Sequence, residues 1–249
     1  MLKVIKDLTP AEIASITDHT YLNRVEAFLG KADHPIKARR EEFYNFLSGI
    51  SDLSSKPYAV CIPYGDVAYA KEYLDGSGIK IASVVGFPDG DTPTCIKKIE
   101  TLAALRAGAD EIDFVMNYER LREMNVKYVV EEMEKIAQLA HNHGALVKMI
   151  LETSELHDSQ IQLACGFADV GKIDFVKTST GFSSSGAHPH DLKIMRENFS
   201  RGVKMSGKVR PNNVYDLLEA ASGRNDGIID LDPMKIRIGA NPSLLGNLK

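Results

Sequence analysis

Apolar residues recur along the chain in two alternating rhythms. Short segments with period-two alternation or β-branched runs occur at "SITDHTYL", "YAVCIPY", "KIASVVGFP", "EIDFVMNY", "LVKMILET", "DFVKTST", "GVKMSGKV" and "KIRIGA", mostly roughly 20 to 35 residues apart. Between them lie stretches with apolar residues at three- and four-residue spacing. Examples are "DTPTCIKKIETLAALRAG", with Gly108 near its end, and "NVKYVVEEMEKIAQLAHNHG", ending at Gly144. Strands alternating with helices predict right-handed crossovers and a parallel sheet. Eight such units in 249 residues predict an α/β fold, one (β/α)8 barrel domain spanning residues 1–249. The irregular interval, residues 24–55, contains the charged stretch "KARREEFYNFLSGI" and is expected to be an extended helical connection between the first two strands. A doubly wound open sheet would carry a glycine-rich phosphate turn after an early strand, and neither GxGxxG nor GxxxxGK[ST] occurs.

Composition narrows the partners. With 44% apolar and 26% charged residues and a net charge of -4, the chain can bury a full core and has no electrostatic bias toward nucleic acid. The start "MLKVIKDLTPAEIA" lacks an apolar leader with a small-residue cleavage site, and no stretch approaches the 18 or so apolar residues of a membrane span, so a soluble cytoplasmic protein is expected. Cys61, Cys95 and Cys165 form no CxxC, and their odd number speaks against a disulfide framework.

Barrel chemistry sits at the C-terminal ends of the strands. Period-two alternation puts Glu111, Asp113 and Val115 on one face of the fourth strand, Phe175, Lys177 and Ser179 on one face of the sixth, and Gly202, Lys204 and Ser206 on one face of the seventh. If those faces point inward, Lys177, Lys204 and Asp113 converge. A lysine with the ordinary pKa of about 10.4 is neutral in fewer than roughly one molecule in a thousand at pH 7. Burial and a cationic neighbour both favour the neutral, nucleophilic amine, so Lys177 is the candidate nucleophile, Lys204 its neighbour and Asp113 the balancing charge and proton carrier. The alternatives are a strand-end lysine whose stem lies on apolar surface, or a lysine–aspartate pair with a purely structural role. Lys148 is a rival amine, expected to pair with Glu152 or Asp113. The "HNH" at residues 141–143 ends a helix and "HPH" at 188–190 opens one; neither is read as a metal site.

"KTSTGF" with Lys177, "GADEIDFVMN" with Asp113, "GVKMSGKVR" with Lys204, "TDHTYL", "GFPDG" and the terminal "RIGA" occur in an order that resembles the 2-deoxy-D-ribose-5-phosphate aldolase family, from about Ile16 to Leu245. The resemblance implies a class I aldolase that cleaves 2-deoxyribose 5-phosphate to acetaldehyde and glyceraldehyde 3-phosphate. It implies no metal and no cofactor, with the imine formed on Lys177, Lys204 assisting and Asp113 relaying protons with a water. It further implies Asp18, Thr20 and Thr180 near the sugar hydroxyls, Cys61 near the aldehyde pocket, and Gly181, Gly207, Lys208, Gly239 and Asn241 around the phosphate. It allows a homodimer or homotetramer. The chain departs from the family pattern at "SGKVR", where Lys208 replaces a glycine, at "GANPS" after the last strand, and at "YLNR" after the first. The tyrosine that some members carry at the C-terminus has no counterpart in "LLGNLK". Alternative readings are a Schiff-base aldolase with a different or unphosphorylated acceptor, a phosphosugar isomerase, and a barrel that binds a sugar phosphate without catalysis.

Overall fold

All eight expected strands form, and they close on themselves. The computed structural model describes residues 1–246, so the C-terminal position at issue in the family comparison lies outside the described residues. A short strand β1 (Leu2–Val4) comes first, followed by β2 (Thr17–Thr20), β3 (Ala59–Pro63), β4 (Lys80–Val85) and β5 (Glu111–Val115). Then come β6 (Leu146–Ile150), β7 (Phe175–Lys177), β8 (Gly202–Ser206), β9 (Ile228–Asp230) and β10 (Ile236–Ala240). The closed barrel runs β10-β2-β3-β4-β5-β6-β7-β8, every neighbouring pair parallel. The sequence pattern missed β1 and β9, which pair antiparallel, Leu2 opposite Asp230, and tie the N-terminal segment to the connection between β8 and β10. Three-residue strands are too short to show a period.

Residues 24–55 hold the crossover between β2 and β3: a 3-10 turn over Val25–Phe28, then a helix over Pro35–Ser51 with proline in its first turn. Its buried residues Phe43, Leu47 and Ile50 fall at four- and three-residue spacing and face the barrel. The sixth predicted strand is shorter than its sequence pattern. β7 stops at Lys177 because Thr178 takes over the pairing with its side chain: Oγ1 donates to the Ser206 carbonyl at 2.9 Å and accepts from the Ser206 N–H at 3.0 Å.

Alternation along the strands separates two environments. Val60, Ile62, Ile112, Phe114, Val147, Met149, Val203 and Met205 join the large core between strands and helices. Cys61, Ala82 and Val84 form a separate small cluster with Leu22. Seven further inward positions are charged, Asp18, Glu111, Asp113, Lys148, Lys177, Lys204 and Arg237, and two glycines make room for long side chains and for a ring. A Cβ on Gly239 would stand 3.1 Å from Lys204 Cε, and one on Gly202 would stand 2.3 Å from the Phe175 ring.

A second buried charge pair holds the outer layer. Lys97, on the helix Thr94–Arg106, donates to the carbonyls of Gly90 and Val115 at 2.7 and 2.8 Å and to Glu132 Oε1 at 2.9 Å. Glu132, on the helix Val126–His141, accepts the Asn117 N–H on its other oxygen at 3.0 Å. Two helices, the end of β5 and the loop after β4 thus meet at one pair with zero exposure on both sides. Removing one partner of such a pair strands the other charge in the core. Lys97→Met is expected to destabilise the fold by about 3–5 kcal/mol in urea denaturation, with Lys97→Met/Glu132→Gln less affected than the single variant.

Candidate active site

Seven charged side chains meet inside the barrel, none more than 3% exposed. Asp113 lies at the centre. Its Oδ2 accepts from Lys177 and Lys204, both at 2.9 Å, and from the Cys61 thiol at 3.8 Å, while its Oδ1 accepts from Lys148 at 2.8 Å. Lys148 also donates to Glu111, Lys204 to Asp18, and Arg237 to Asp18 and, at 2.7 Å, to Glu111. The Arg237 guanidinium lies 3.6 Å from the centre of the Tyr58 ring. Lys177 and Lys204 are directly opposite in the β7–β8 register, so two ammonium groups share one carboxylate oxygen.

The electrostatics follow from who is paired with whom. Burial alone would strip Lys204 of its proton, but Asp113 and Asp18 hold its ammonium above the ordinary lysine value. Lys148 is raised in the same way: burial opposes, and Asp113 and Glu111 prevail. Burial would raise the Asp113 carboxyl, yet Lys148, Lys177 and Lys204 keep it well below the usual range. Asp18 is likewise depressed, against its burial, by Arg237 and Lys204. The Cys61 thiol is pushed up by burial and by Asp113. Lys204 is ion-paired with two carboxylates and Lys148 with three, Asp18 being the most distant at 4.0 Å, whereas Lys177 is paired with Asp113 alone.

Above the network a cavity of about 400 Å³ opens at the C-terminal ends of the strands. Lys177 lines it, together with Thr20, Thr180, Gly181, Gly207, Lys208, Gly239 and Asn241. The structure therefore gathers the residues expected at the nucleophile, hydroxyl and phosphate positions, except that Asp18, Cys61, Asp113 and Lys204 lie beneath the cavity rather than on its wall. Asp18, expected near a sugar hydroxyl, has both carboxylate oxygens taken by Lys204 and Arg237. Lys208 adopts a left-handed backbone, at φ 56°, and its ammonium donates to the Ser184 carbonyl.

Sequence reading missed Arg237 and Glu152. Arg237 was legible by alternation, since Ile236 and Ile238 belong to the outer core and leave it facing inward. Glu152 was not. It adopts φ 54°, which breaks the period-two pattern after β6, so it does not pair with Lys148 as one expectation had it. Its Oε2 accepts from the Thr180 N–H at 3.1 Å and from the Thr180 hydroxyl, and burial pushes its carboxyl up. Of the histidines, His141 pairs with Asp174 at 2.8 Å and His188 caps the helix Pro189–Asn198.

A closed parallel barrel with an ion-paired amine at the floor of its mouth has the architecture of a barrel enzyme, whose site lies at the C-terminal ends of the strands. Residues 17–224 match the model of the DeoC/LacD family aldolase. The chain belongs to that family and is an aldolase, a carbon–carbon lyase. It is 40% identical over 224 residues to a deoxyribose-phosphate aldolase of Caldicellulosiruptor saccharolyticus, covering 87% of this chain and 94% of that one. It is 38% identical over 216 residues to the enzyme of the same name from Aciduliprofundum boonei, covering 86% and 91%. The tetrameric deoxyribose phosphate aldolase structure from Aeropyrum pernix superimposes with a TM-score of 0.75 at 25% identity, over 97% of this chain and 93% of that one.

The network also fixes how the fold responds to acid. Asp18 and Asp113 have folded pKa values below their unfolded ones, so the stability they supply is complete above the unfolded value of about 3.9 and is lost as pH falls below it. Urea midpoints are expected to hold from neutral pH to about 5 and to drop below about 4. In Asp18→Asn the neutral-pH stability falls by about 3–5 kcal/mol and the acid drop becomes shallower.

Proposed function

We propose that the chain cleaves 2-deoxyribose 5-phosphate to acetaldehyde and glyceraldehyde 3-phosphate through a Schiff base on Lys177, without a metal or other cofactor. The observation that carries this reading is the position of Lys177. Of the four cations in the network it is the one that lines the cavity, and the one held by a single carboxylate. Four cations, Lys148, Lys177, Lys204 and Arg237, face three carboxylates, Asp18, Glu111 and Asp113. Loss of one proton from Lys177 balances them, and the neutral amine that results is the nucleophile an imine requires.

The steps follow from that amine. Lys177 Nζ attacks the C1 aldehyde of the open-chain sugar, and loss of water gives an iminium. Removal of the proton from the C3 hydroxyl then breaks the C2–C3 bond, its electron pair moving into the iminium to form an enamine, and C3 leaves as the aldehyde of glyceraldehyde 3-phosphate. Protonation of the enamine at C2 and hydrolysis of the imine release acetaldehyde and restore the amine. Asp113, which accepts from both Lys177 and Lys204 on one oxygen, carries protons with Lys204 through a water between these steps. Thr20 and Thr180 face the sugar hydroxyls, and the loops at Gly181, Gly207–Lys208 and Gly239–Asn241 take the phosphate at the opposite end of the cavity. Three free thiols suit a cytoplasmic setting, and no helix among the described residues is long and apolar enough to cross a membrane. The tetrameric Aeropyrum pernix relative supports an oligomeric assembly of two or four copies.

Borohydride added with acetaldehyde is expected to attach a two-carbon unit at Lys177, read by mass spectrometry of the peptide. Lys177→Arg abolishes it, since a guanidinium stays charged; an adduct at Lys148 instead would overturn the assignment. Lys204→Leu is expected to lower turnover by about two orders of magnitude or more, and activity is expected to survive EDTA. The phosphate end has its own test. Lys208 bears the strain of φ 56°, roughly 1–2 kcal/mol for a non-glycine residue, and a charge-assisted phosphate contact of about 1.5–3 kcal/mol offsets it. Lys208→Gly is therefore expected to raise KM for deoxyribose 5-phosphate while leaving cleavage of unphosphorylated deoxyribose nearly unchanged. Equal effects on both substrates would remove Lys208 from the phosphate site.

A further inference from the structure

Lys148 and Glu111 do not line the cavity, and neither has a place in the bond-making steps. They are nevertheless bonded to each other, and Lys148 holds the oxygen of Asp113 opposite to the one that Lys177 and Lys204 share. We infer that Lys148 and Glu111 are positioning residues that set, through Asp113, the pH at which Lys177 becomes a nucleophile. This rests on the Schiff-base reading above.

The physical ground is the charge count of a sealed space. The inward groups are Asp18 from β2, Cys61 from β3, Glu111 and Asp113 from β5, Lys148 from β6, Lys177 from β7, Lys204 from β8 and Arg237 from β10, while β4 contributes the apolar Ala82 and Val84. Cys61 stays a thiol beside Asp113. Glu152 is buried and interacts electrostatically with Lys177, but it is hydrogen-bonded to Thr180 rather than to any of the seven and burial raises its carboxyl toward the neutral form, so it stands outside the count; Lys208 is hydrogen-bonded to the Ser184 carbonyl. With all seven ionised, four cations face three carboxylates and one positive charge is in excess. Charges a few ångströms apart in a low-dielectric interior interact strongly, so the group with the fewest partners and access to the cavity gives way first. That group is Lys177. Changing the count anywhere in the network changes how strongly Lys177 holds its proton, and the sign follows the charge that is removed.

The test is the pH profile of cyanoborohydride trapping of acetaldehyde at Lys177, from about pH 5 to about pH 10, on variants whose folding is verified by circular dichroism. Lys148→Met removes a positive charge, leaving Asp113 less neutralised and Lys177 more firmly protonated. Its half-maximal pH is expected to rise by about one unit or more. Glu111→Gln removes a negative charge, and the midpoint is expected to fall by a similar amount. Lys148→Met/Glu111→Gln restores the count and should bring the midpoint back near that of the parent, and Lys148→Arg, which keeps the charge, should leave it in place. Should Lys148→Met not fold, Arg237→Gln removes a positive charge from the other end of the network and carries the same upward expectation. A merely structural role for Lys148 and Glu111 would lower the amount trapped without moving the profile. Unmoved midpoints, or midpoints of the two single variants moving the same way, overturn the inference while leaving the Schiff base standing. Absence of any Lys177 adduct in the parent overturns both.

Discussion

Asp113, fully buried, accepts hydrogen bonds from three lysines, Lys148 on one oxygen and Lys177 and Lys204 on the other. A carboxylate that neutralises several ammonium groups makes it possible to bury them at all, because each would otherwise face a desolvation penalty of several kcal/mol. It also brings them together. Lys204 gains Asp18 as a second partner and Lys148 gains Glu111, while Arg237 closes the ring between Asp18 and Glu111. Lys177 gains none, and the rest of the site is arranged around the amine left with least compensation.

The barrel serves that arrangement. Each strand contributes its inward side chains at a fixed height, and parallel closure puts Lys177 beside Lys204 and Lys204 beside Arg237. Space is made where long side chains cross. Gly239 leaves the volume that Lys204 occupies, and Gly202 the volume of the Phe175 ring. Outside the barrel, the Lys97–Glu132 pair fixes the loop that follows β4, whose Phe87 meets Phe182 edge-on at 5.2 Å on the lip of the cavity. The apolar lip and the charged floor are thus held by separate ion pairs, one in each layer.

At the other end of the cavity the wall is built by the loops after β7 and β8. Gly207 and Lys208 both have left-handed torsions, at φ 81° and 56°, so the loop after β8 places a lysine side chain where backbone of this kind favours glycine. The lysine that bears this strain reaches across to the Ser184 carbonyl and closes the loop after β7 over the one after β8. Glu152 ties the same β7 loop from the opposite side through Thr180. The two strained residues therefore converge on a single loop.

The eight barrel strands, the inward faces of the fourth, sixth and seventh, and the meeting of Lys177, Lys204 and Asp113 were legible in the sequence. Alternation is a local property of a pleated chain and survives without knowledge of the partners. The same rule exposes Arg237 between Ile236 and Ile238, once β10 is known to close on β2 and β8. Three things were decided by the tertiary structure alone. The pairing of β1 with β9 joins residues more than 200 apart and leaves no period to read. The partner of Lys148 is Glu111 rather than Glu152, because the left-handed turn at Glu152 ends the alternation and sends that carboxylate to Thr180. Finally, Lys204 is held charged by two carboxylates while Lys177 has one, a difference that depends on Asp18 arriving from the far side of the closed barrel. Sequence fixes which face a side chain occupies; only closure of the barrel fixes which charges share that face, because the partners come from strands distant along the chain.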